Sequence, residues 1–426
     1  MFLLELKQRG VRNKEKTMNL KFMSKNLDEE GLKVARDMLS KINPDIRKEL
    51  VSWSLRHPRY LKSFFHLYQA YNNAQQIRKK ELENGLQVPP VLIISITPCC
   101  NLRCEGCYAS AAGHIKHTDD LKTKAALNVT QWQKIIKEAG ELGIFVNIIA
   151  GGEPFLFPGL IELCEEFKEQ AFVIFTNGTA ITQADYDRLK RSTNLAIVVS
   201  VEGSCEYTNK RRGEGVYEKA LETIRCLDRI GVPAGISATI TRENFRYWMD
   251  ADNIDRLIRQ NIRILFFLEY IPQSPLPQAG TELADCLAAS SLDNTLSESI
   301  NDHALLLRPE EREEFRSQVL AFRSTKPVFI IHSPGDEEYF GGCVSAGRGF
   351  VHVTPAGDLT PCPVSNIATH NLVNSTLREG LASPLFKEIC KNEHLLETDG
   401  VPCALFAHPE EVSALARLVG AYRTDL

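Results

Sequence analysis

The sequence predicts an α/β fold: a partial (β/α)6 TIM-like barrel, preceded by a helical amino-terminal leader and followed by a small cysteine-rich α+β auxiliary domain. Three observations carry this expectation. Six short apolar runs of β-type alternate with amphipathic stretches between residues 91 and 271; the residues before them show helical spacing alone; and a cysteine-bearing hairpin pattern follows near residues 343–362. Strands alternating with helices build a parallel sheet covered by crossovers. Six such units are too few to close an eight-stranded barrel, so the sheet is expected to stay open, with the loops after its strands forming the site.

Taken in order, residues 1–25 are basic and interrupted by charge, unlike a signal peptide or a membrane span. The leader, residues 1–88, places Leu32, Val34, Ala35, Met38 and Leu39 at helical spacing, and Asn43-Pro44 marks a helix start. The barrel core, residues 89–272, offers strands at 91–97, 144–150, 172–176, 196–201, 234–240 and 264–271. Between them run helices expected at 130–142, 159–170, 183–190, 217–230 and 248–260. Residues 273–327 form a helical insertion or lid, with helices at 284–304 and 309–323. The auxiliary domain, residues 328–426, opens with a strand at 328–332 and then a hairpin of Val351, Val353 and Leu359 about the turn from Pro355 to Asp358. Helices at 377–388 and 409–418 complete it.

Composition limits the function classes. The chain has 426 residues, 43% hydrophobic content and a net charge of −4, which supplies no electrostatic reason for a nucleic-acid partner. Nothing in it asks for a membrane. Its twelve cysteines are grouped rather than spread as a disulfide framework, which fits a reducing, cytoplasmic compartment.

The first group is Cys100-x3-Cys104-x2-Cys107, directly after the first strand. Three thiolates at this spacing can hold three corners of a cubane [4Fe-4S] cluster and leave the fourth iron without a protein ligand. A zinc site remains an alternative, although only His114 and His117 stand within forty residues downstream to complete it. A redox pair of Cys104 and Cys107 is another, and it leaves Cys100 unused. Cys99 offers a competing register, but adjacent residues on an extended chain point apart, so one of Cys99 and Cys100 faces the cluster.

Polar groups recur at the ends of the following strands: Gly151-Gly152-Glu153-Pro154, Thr176-Asn177-Gly178 and Ser200-Val201-Glu202-Gly203. Glycines let backbone approach a ligand closely, and exposed main-chain groups beside Glu153 could bind an ammonium group.

On these residues, with aromatic Tyr108 after the last cysteine, residues 88–272 resemble the radical S-adenosylmethionine enzymes. The resemblance implies that Cys100, Cys104 and Cys107 hold a [4Fe-4S] cluster whose open iron is chelated by the amino and carboxylate groups of S-adenosylmethionine. An external one-electron reductant of flavodoxin or ferredoxin type then drives formation of a 5'-deoxyadenosyl radical, which abstracts hydrogen from the substrate. Carried over residue by residue, Gly151, Gly152 and Glu153 contact the methionine amino group, and Tyr108 and Leu268 lie against adenine. Asn177 and Ser200 face ribose or the methionine moiety, and Arg212 meets the carboxylate. The chain departs from relatives at Thr208-Asn209, where they more often carry His-Asp, and at Glu202, where they carry Asp.

The second cysteine group surrounds the hairpin, where Cys343, Cys362, Cys390 and Cys403 could supply four ligands. The pattern of Cys343, Gly357 and Cys362 resembles the opening of a SPASM auxiliary domain, and the missing later cysteine run implies the shortened, twitch-like form with one auxiliary [4Fe-4S] cluster. Cys403 is expected as the third ligand, while Cys390 is either the fourth or a buried helix-end thiol. In the latter case the auxiliary cluster also has an open iron. Asp336 and Glu337 are candidate catalytic residues if they face the substrate, and a solvated acidic turn if they do not. Relatives with such extensions modify peptides, mature other enzymes or alter tetrapyrrole side chains, so the implied substrate is peptide or tetrapyrrole-like. A radical oxidoreductase or maturase is expected; the alternative is a non-catalytic iron-sulfur regulatory or accessory protein.

Overall fold

The computed structural model describes residues 52–53, 56–115, 126–272, 304–397 and 402–425. The helix start at Asn43-Pro44 and most of the insertion helix expected at 284–304 lie outside these residues.

The six expected strands form, each within two residues of its expected bounds. They are β1 (Val91–Ser95), β2 (Val146–Ala150), β3 (Ala171–Thr176), β4 (Leu195–Ser200), β5 (Ala234–Ile240) and β6 (Ile264–Glu269), every neighbouring pair parallel. Two further parallel strands extend the set. β7 (Phe329–Ser333), grouped by its sequence position with the auxiliary region, pairs with β6, and β8 (Phe350–Val353) pairs with β1. β9 (Asp358–Thr360) returns antiparallel to β8 as the hairpin, beyond which β10 (Ile367–Ala368) pairs with a late strand and β11 (His370–Asn371) pairs with β9. The sheet order is β11-β9-β8-β1-β2-β3-β4-β5-β6-β7, a ten-stranded open sheet. β12 (Tyr422–Arg423) is the late strand that completes a separate two-stranded piece with β10.

The helices run α1 (Arg59–Glu83), α2 (Tyr108–Ala111), α3 (Val129–Glu141), α4 (Leu160–Glu166), α5 (Gln183–Leu189), α6 (Cys205–Arg212) and α7 (Val216–Ile230). They continue as α8 (Phe245–Met249), α9 (Ala251–Arg259), α10 (Pro309–Thr325), α11 (Leu377–Leu381), α12 (Pro384–Lys391), α13 (Ala404–Ala407) and α14 (Pro409–Leu418). Local chemistry sets several ends. Asn128 and Gln131 form a capping box at the start of α3, whose Trp132, Ile135, Ile136 and Ala139 are buried. The helix expected over 248–260 instead divides at Asp250, which is extended and accepts a 2.9 Å bond from the Asp252 amide to cap α9. Among the described residues no helix is long and apolar enough to cross a membrane.

Alternation along the strands separates two faces. Leu92, Ile94, Ile149, Phe172, Ile174, Ile197, Val199, Ile236 and Phe267 are fully buried in the apolar core. On the other face Ile93, Ile148, Val173, Phe175, Ser200 and Leu268 stay half-exposed. That face and the loops above it are what remains for a ligand.

A buried, hydrogen-bonded triad fastens α10 to the sheet. Glu269, ending β6, accepts from Arg312 Nε at 2.5 Å and pairs with His332 Nε2 of β7 at 2.9 Å. Burial alone would raise the Glu269 carboxyl, but the His332 hydrogen bond and the Arg312 charge bring it below its ordinary value. Removing one partner of a buried pair leaves the other charge uncompensated. Arg312→Ala is therefore expected to destabilise the protein by about 3–5 kcal/mol, read as a clear fall in the thermal unfolding midpoint. An unchanged midpoint would show that the triad does not hold the helix.

Candidate functional site

The cysteine segment follows β1 as a loop, with Cys99 exposed and Cys100, Cys104 and Cys107 half-buried. Three neighbouring strand ends hold it. The first is the Gly-Gly-Glu-Pro loop after β2. There the Gly152 amide donates to Thr97 O and the Glu153 amide to Cys99 O, both at 2.8 Å. A Cβ on Gly152 would stand 1.9 Å from Cys99 O and 2.4 Å from its carbonyl carbon, so no side chain fits. Gly151 adopts φ +120°, and a Cβ there would stand 2.9 Å from Thr97 O.

The second holder is the end of β3. Glu153, 1% exposed, accepts from Thr176 Oγ1 at 2.6 Å, the Asn177 amide at 2.8 Å and the Phe155 amide at 3.2 Å. Asn177 Nδ2 in turn donates to Asn101 Oδ1 at 2.9 Å, and Asn101 Nδ2 donates to Thr179 Oγ1 at 2.8 Å, inside the cysteine loop's reach. Burial holds the Glu153 carboxyl above its ordinary value despite these donors. Its oxygens are occupied, so the groups that the segment 151–153 can offer a ligand are on its backbone.

The third holder is the end of β4. Glu202, 1% exposed, accepts on Oε1 from Arg211 Nη1 and Arg212 Nε, each at 2.7 Å, and on Oε2 from the Thr239 amide at 2.8 Å. Burial opposes its ionisation, but the two guanidinium charges lower its pKa. Arg211 Nη2 donates to Gly106 O at 3.2 Å, and the Glu105 amide donates to Arg211 O at 2.9 Å. Arg212 Nη1 lies 3.9 Å from Cys104 Sγ.

Of the residues expected from sequence, Gly151, Gly152, Glu153, Asn177 and Arg212 are thus joined to the cysteine loop directly or through one partner. Ser200 Oγ lies 3.4 Å from Ser237 Oγ at the same end of the sheet. Tyr108 begins α2 immediately after Cys107, half-buried, and Leu268 lies half-exposed on β6 in register with Thr239 and Ser333. Sequence reasoning did not assign Asn101, Arg211 or the Glu202 carboxylate to the loop. The adjacent arginines and the strand-end glutamate were visible, but not that they meet.

The donor set suits an iron-sulfur cluster. Burial pushes Cys100 up to about 11 and raises Cys104, against the pull of Arg212 and Arg211, so deprotonation there calls for a cation that binds sulfur. Among the described residues no three His, Cys, Asp or Glu side chains close around a single metal ion. His114, which a zinc site would need, instead stacks on His352 with ring centroids 5.1 Å apart, and His117 lies outside the described residues.

In the second cysteine group, Cys343, Cys362 and Cys403 are each raised by burial, Cys403 to about 11; Glu337 and then Cys403 raise Cys343 further, and Cys403 and Cys343 raise Cys362. Glu337, 8% exposed, lies within hydrogen-bonding reach of the Cys343 thiol, and burial pushes it up to about 7. Cys390, on α12, turns its thiol to Ala346 O at 3.6 Å. Asp336 is half-buried and paired: Arg323 grips both its oxygens at 2.7 Å, and the His332 amide donates at 2.9 Å. It closes the turn after β7, while Glu337 faces the cysteines.

Residues 94–262 match the family model described as the Radical SAM superfamily. Fe-coproporphyrin III synthase of Methanosarcina barkeri is 31% identical over 160 residues, which is 37% of this chain and 38% of that protein. The alignment therefore spans less than two fifths of that relative's length. Mycofactocin maturase MftC of Mycobacterium tuberculosis is 26% identical over 321 residues, 74% of each chain. Streptococcus suis SuiB bound to precursor peptide SuiA superposes with a TM-score of 0.55 at 17% identity, covering 79% of this chain and 74% of that one. At that identity the likeness is one of fold.

Because a Cβ at Gly152 collides with backbone rather than with a flexible side chain, Gly152→Ala must push the two loops apart. Iron retained after anaerobic reconstitution is expected to fall by roughly half or more, with the far-ultraviolet circular dichroism unchanged. Full iron content in this variant would show that the close approach is dispensable.

Proposed function

We propose that the chain, whose residues 94–262 match the Radical SAM superfamily model, is a radical S-adenosylmethionine enzyme acting in peptide modification or in tetrapyrrole and cofactor biosynthesis. The observation that carries this reading is the convergence of three strand-end loops on one three-cysteine loop, whose sulfurs would hold a [4Fe-4S] cluster. When bound, the cluster and S-adenosylmethionine supply one-electron chemistry that starts hydrogen abstraction, with the electron coming from an external flavodoxin- or ferredoxin-type reductant.

The chain's own residues position this chemistry. Backbone groups of Gly151, Gly152 and Glu153 receive the methionine amino group, with Asn177 and Ser200 beside the ribose and methionine moiety. Tyr108 and Leu268 flank adenine. Glu153 ties the β2 and β3 loops together, so that these backbone groups keep one arrangement. Arg212, already engaged by Glu202, presents positive charge to the sulfur side of the site, where it can also meet the S-adenosylmethionine carboxylate.

A second, auxiliary [4Fe-4S] cluster is held by Cys343, Cys362 and Cys403. Their mutual electrostatic influence supports that grouping, and the turn of Cys390 toward Ala346 O sets it apart. Glu337 stands next to the three thiols as a group that can ligate iron or meet substrate. Two substrate classes stay in view for distinct reasons. The alignment with mycofactocin maturase covers 74% of both chains, while the higher identity is to Fe-coproporphyrin III synthase over a shorter stretch.

Anaerobic reconstitution followed by dithionite reduction tests the reading. Wild type is expected to bind about eight irons as two cubanes and to release 5'-deoxyadenosine from S-adenosylmethionine. Cys100→Ala should abolish that release, Cys362→Ala should lose about four irons, and Cys390→Ala should keep them. Clusters without any 5'-deoxyadenosine would favour a regulatory or accessory protein instead.

A further inference from the structure

Glu202 receives two guanidinium groups, and together they leave an unbalanced charge. Arg211 and Arg212 are the last residues of α6, and both reach the same oxygen, Arg212 closing to 2.6 Å through Nη2 as well. The side chains of Glu202, Arg211 and Arg212 are only 1%, 15% and 11% exposed, so water does little to screen them. One carboxylate against two cations leaves a net positive charge within the knot. Arg211 also donates through Nη2 to Gly106 O, a neutral carbonyl. Arg212 turns Nη1 to Cys104 Sγ at 3.9 Å. Arg212 therefore presents its cation to a sulfur of the cysteine loop, with the buried Glu153 as a second carboxylate within electrostatic reach.

A thiolate-bound iron-sulfur cluster is anionic and becomes more so on reduction, and charge, burial and hydrogen bonds to sulfur set its potential. A fixed guanidinium beside one ligand sulfur stabilises the reduced form. Glu202 fixes that guanidinium: it accepts from Nε and contacts Nη2, which leaves Nη1 as the end that reaches the sulfur. The Thr239 amide anchors the other carboxylate oxygen to β5.

We infer that Glu202 is a positioning residue that holds Arg212 as the charge partner of Cys104, and that this pair sets the reduction potential of the cluster carried by the loop. The inference rests on the reading of Cys100, Cys104 and Cys107 as cluster ligands. It adds a role for two residues whose combined charge, rather than their contact with substrate, is what matters.

The test is a redox titration of the full-length, anaerobically reconstituted protein, following the electron paramagnetic resonance signal that changes when S-adenosylmethionine is added. That signal separates the open-iron cluster from any auxiliary one. Arg212→Gln removes the cation and should lower the potential, making the reduced-to-oxidised ratio at fixed ambient potential about tenfold smaller, or about 59 mV for one electron. Glu202→Gln keeps the shape and one of the two acceptor oxygens while removing the anion, and should raise the potential by a shift of the same order. Arg212→Lys keeps the charge and should stay nearer wild type than Arg212→Gln does. Opposite signs for the two glutamine variants are the signature of charge acting on the cluster through a guanidinium that is still held in place. Shifts of one sign, or no shift in iron-loaded variants, overturn the inference. If Arg212→Gln fails to load iron, Glu202→Gln and Arg212→Lys decide alone by the same criteria. A wild type that loads no cluster on this loop overturns the proposed function as well, and iron counting before titration distinguishes that outcome.

Discussion

A buried carboxylate persists only where donors surround it, and three of them fix the working end of this sheet. Glu153, Glu202 and Glu269 stand at or just beyond the ends of β2, β4 and β6, each almost wholly removed from water. Each gathers hydrogen bonds from elements that are otherwise separate: the β3 end for Glu153, α6 and β5 for Glu202, α10 and β7 for Glu269. Their chemistry differs with their partners. Glu153 is bonded by hydroxyl and amide groups, and burial keeps its pKa raised, whereas Glu202 and Glu269 meet guanidinium charge and stay lowered. The loops between them have little freedom left, which is the condition for holding a three-cysteine loop in one arrangement.

Much of this was legible in the sequence where the signal is local. Runs such as Val91 to Ser95 and Ala234 to Ile240 carry strand periodicity on their own, and Cys100, Cys104 and Cys107 keep their spacing whatever surrounds them. The glycines of the β2 loop also announced a close backbone approach, although the partner at closest quarters is the carbonyl of Cys99. What could not be read was the choice of partner across long separations. Nothing in Phe329 to Ser333 says that it pairs with β6, nor in Phe350 to Val353 that it pairs with β1. The partner of the Asp336 carboxylate was also out of sight, because Arg323, which grips it, lies on another element. Arg212 was assigned to a ligand, while its contacts within the chain are with Glu202 and Cys104. Even a local feature was hidden at Asp250, where apolar spacing continues through a helix break that only the cap reveals.

The two cysteine groups are linked through the same framework. β8 lies beside β1, and His352 of β8 bonds Ser95 Oγ of β1 on one side of its ring and Thr360 Oγ1 of β9 on the other, each at 2.8 Å. The strand that leads into the first cysteine loop and the hairpin that leads into Cys362 are therefore neighbours in one sheet. A disturbance of either has a direct, hydrogen-bonded route to the other.

That adjacency also orders events during synthesis. β1 lies inside the finished sheet, yet one of its two partners is encoded by Phe350–Val353, far toward the other end of the chain. While the ribosome is still making the segments between, β1 presents an unpaired edge, and the residues that follow it lack part of their footing. Such distant pairing is slow to find and leaves the nascent chain exposed to misassociation. The strand that leads into Cys100, Cys104 and Cys107 therefore gains its second supporting neighbour only once Val353 has been made.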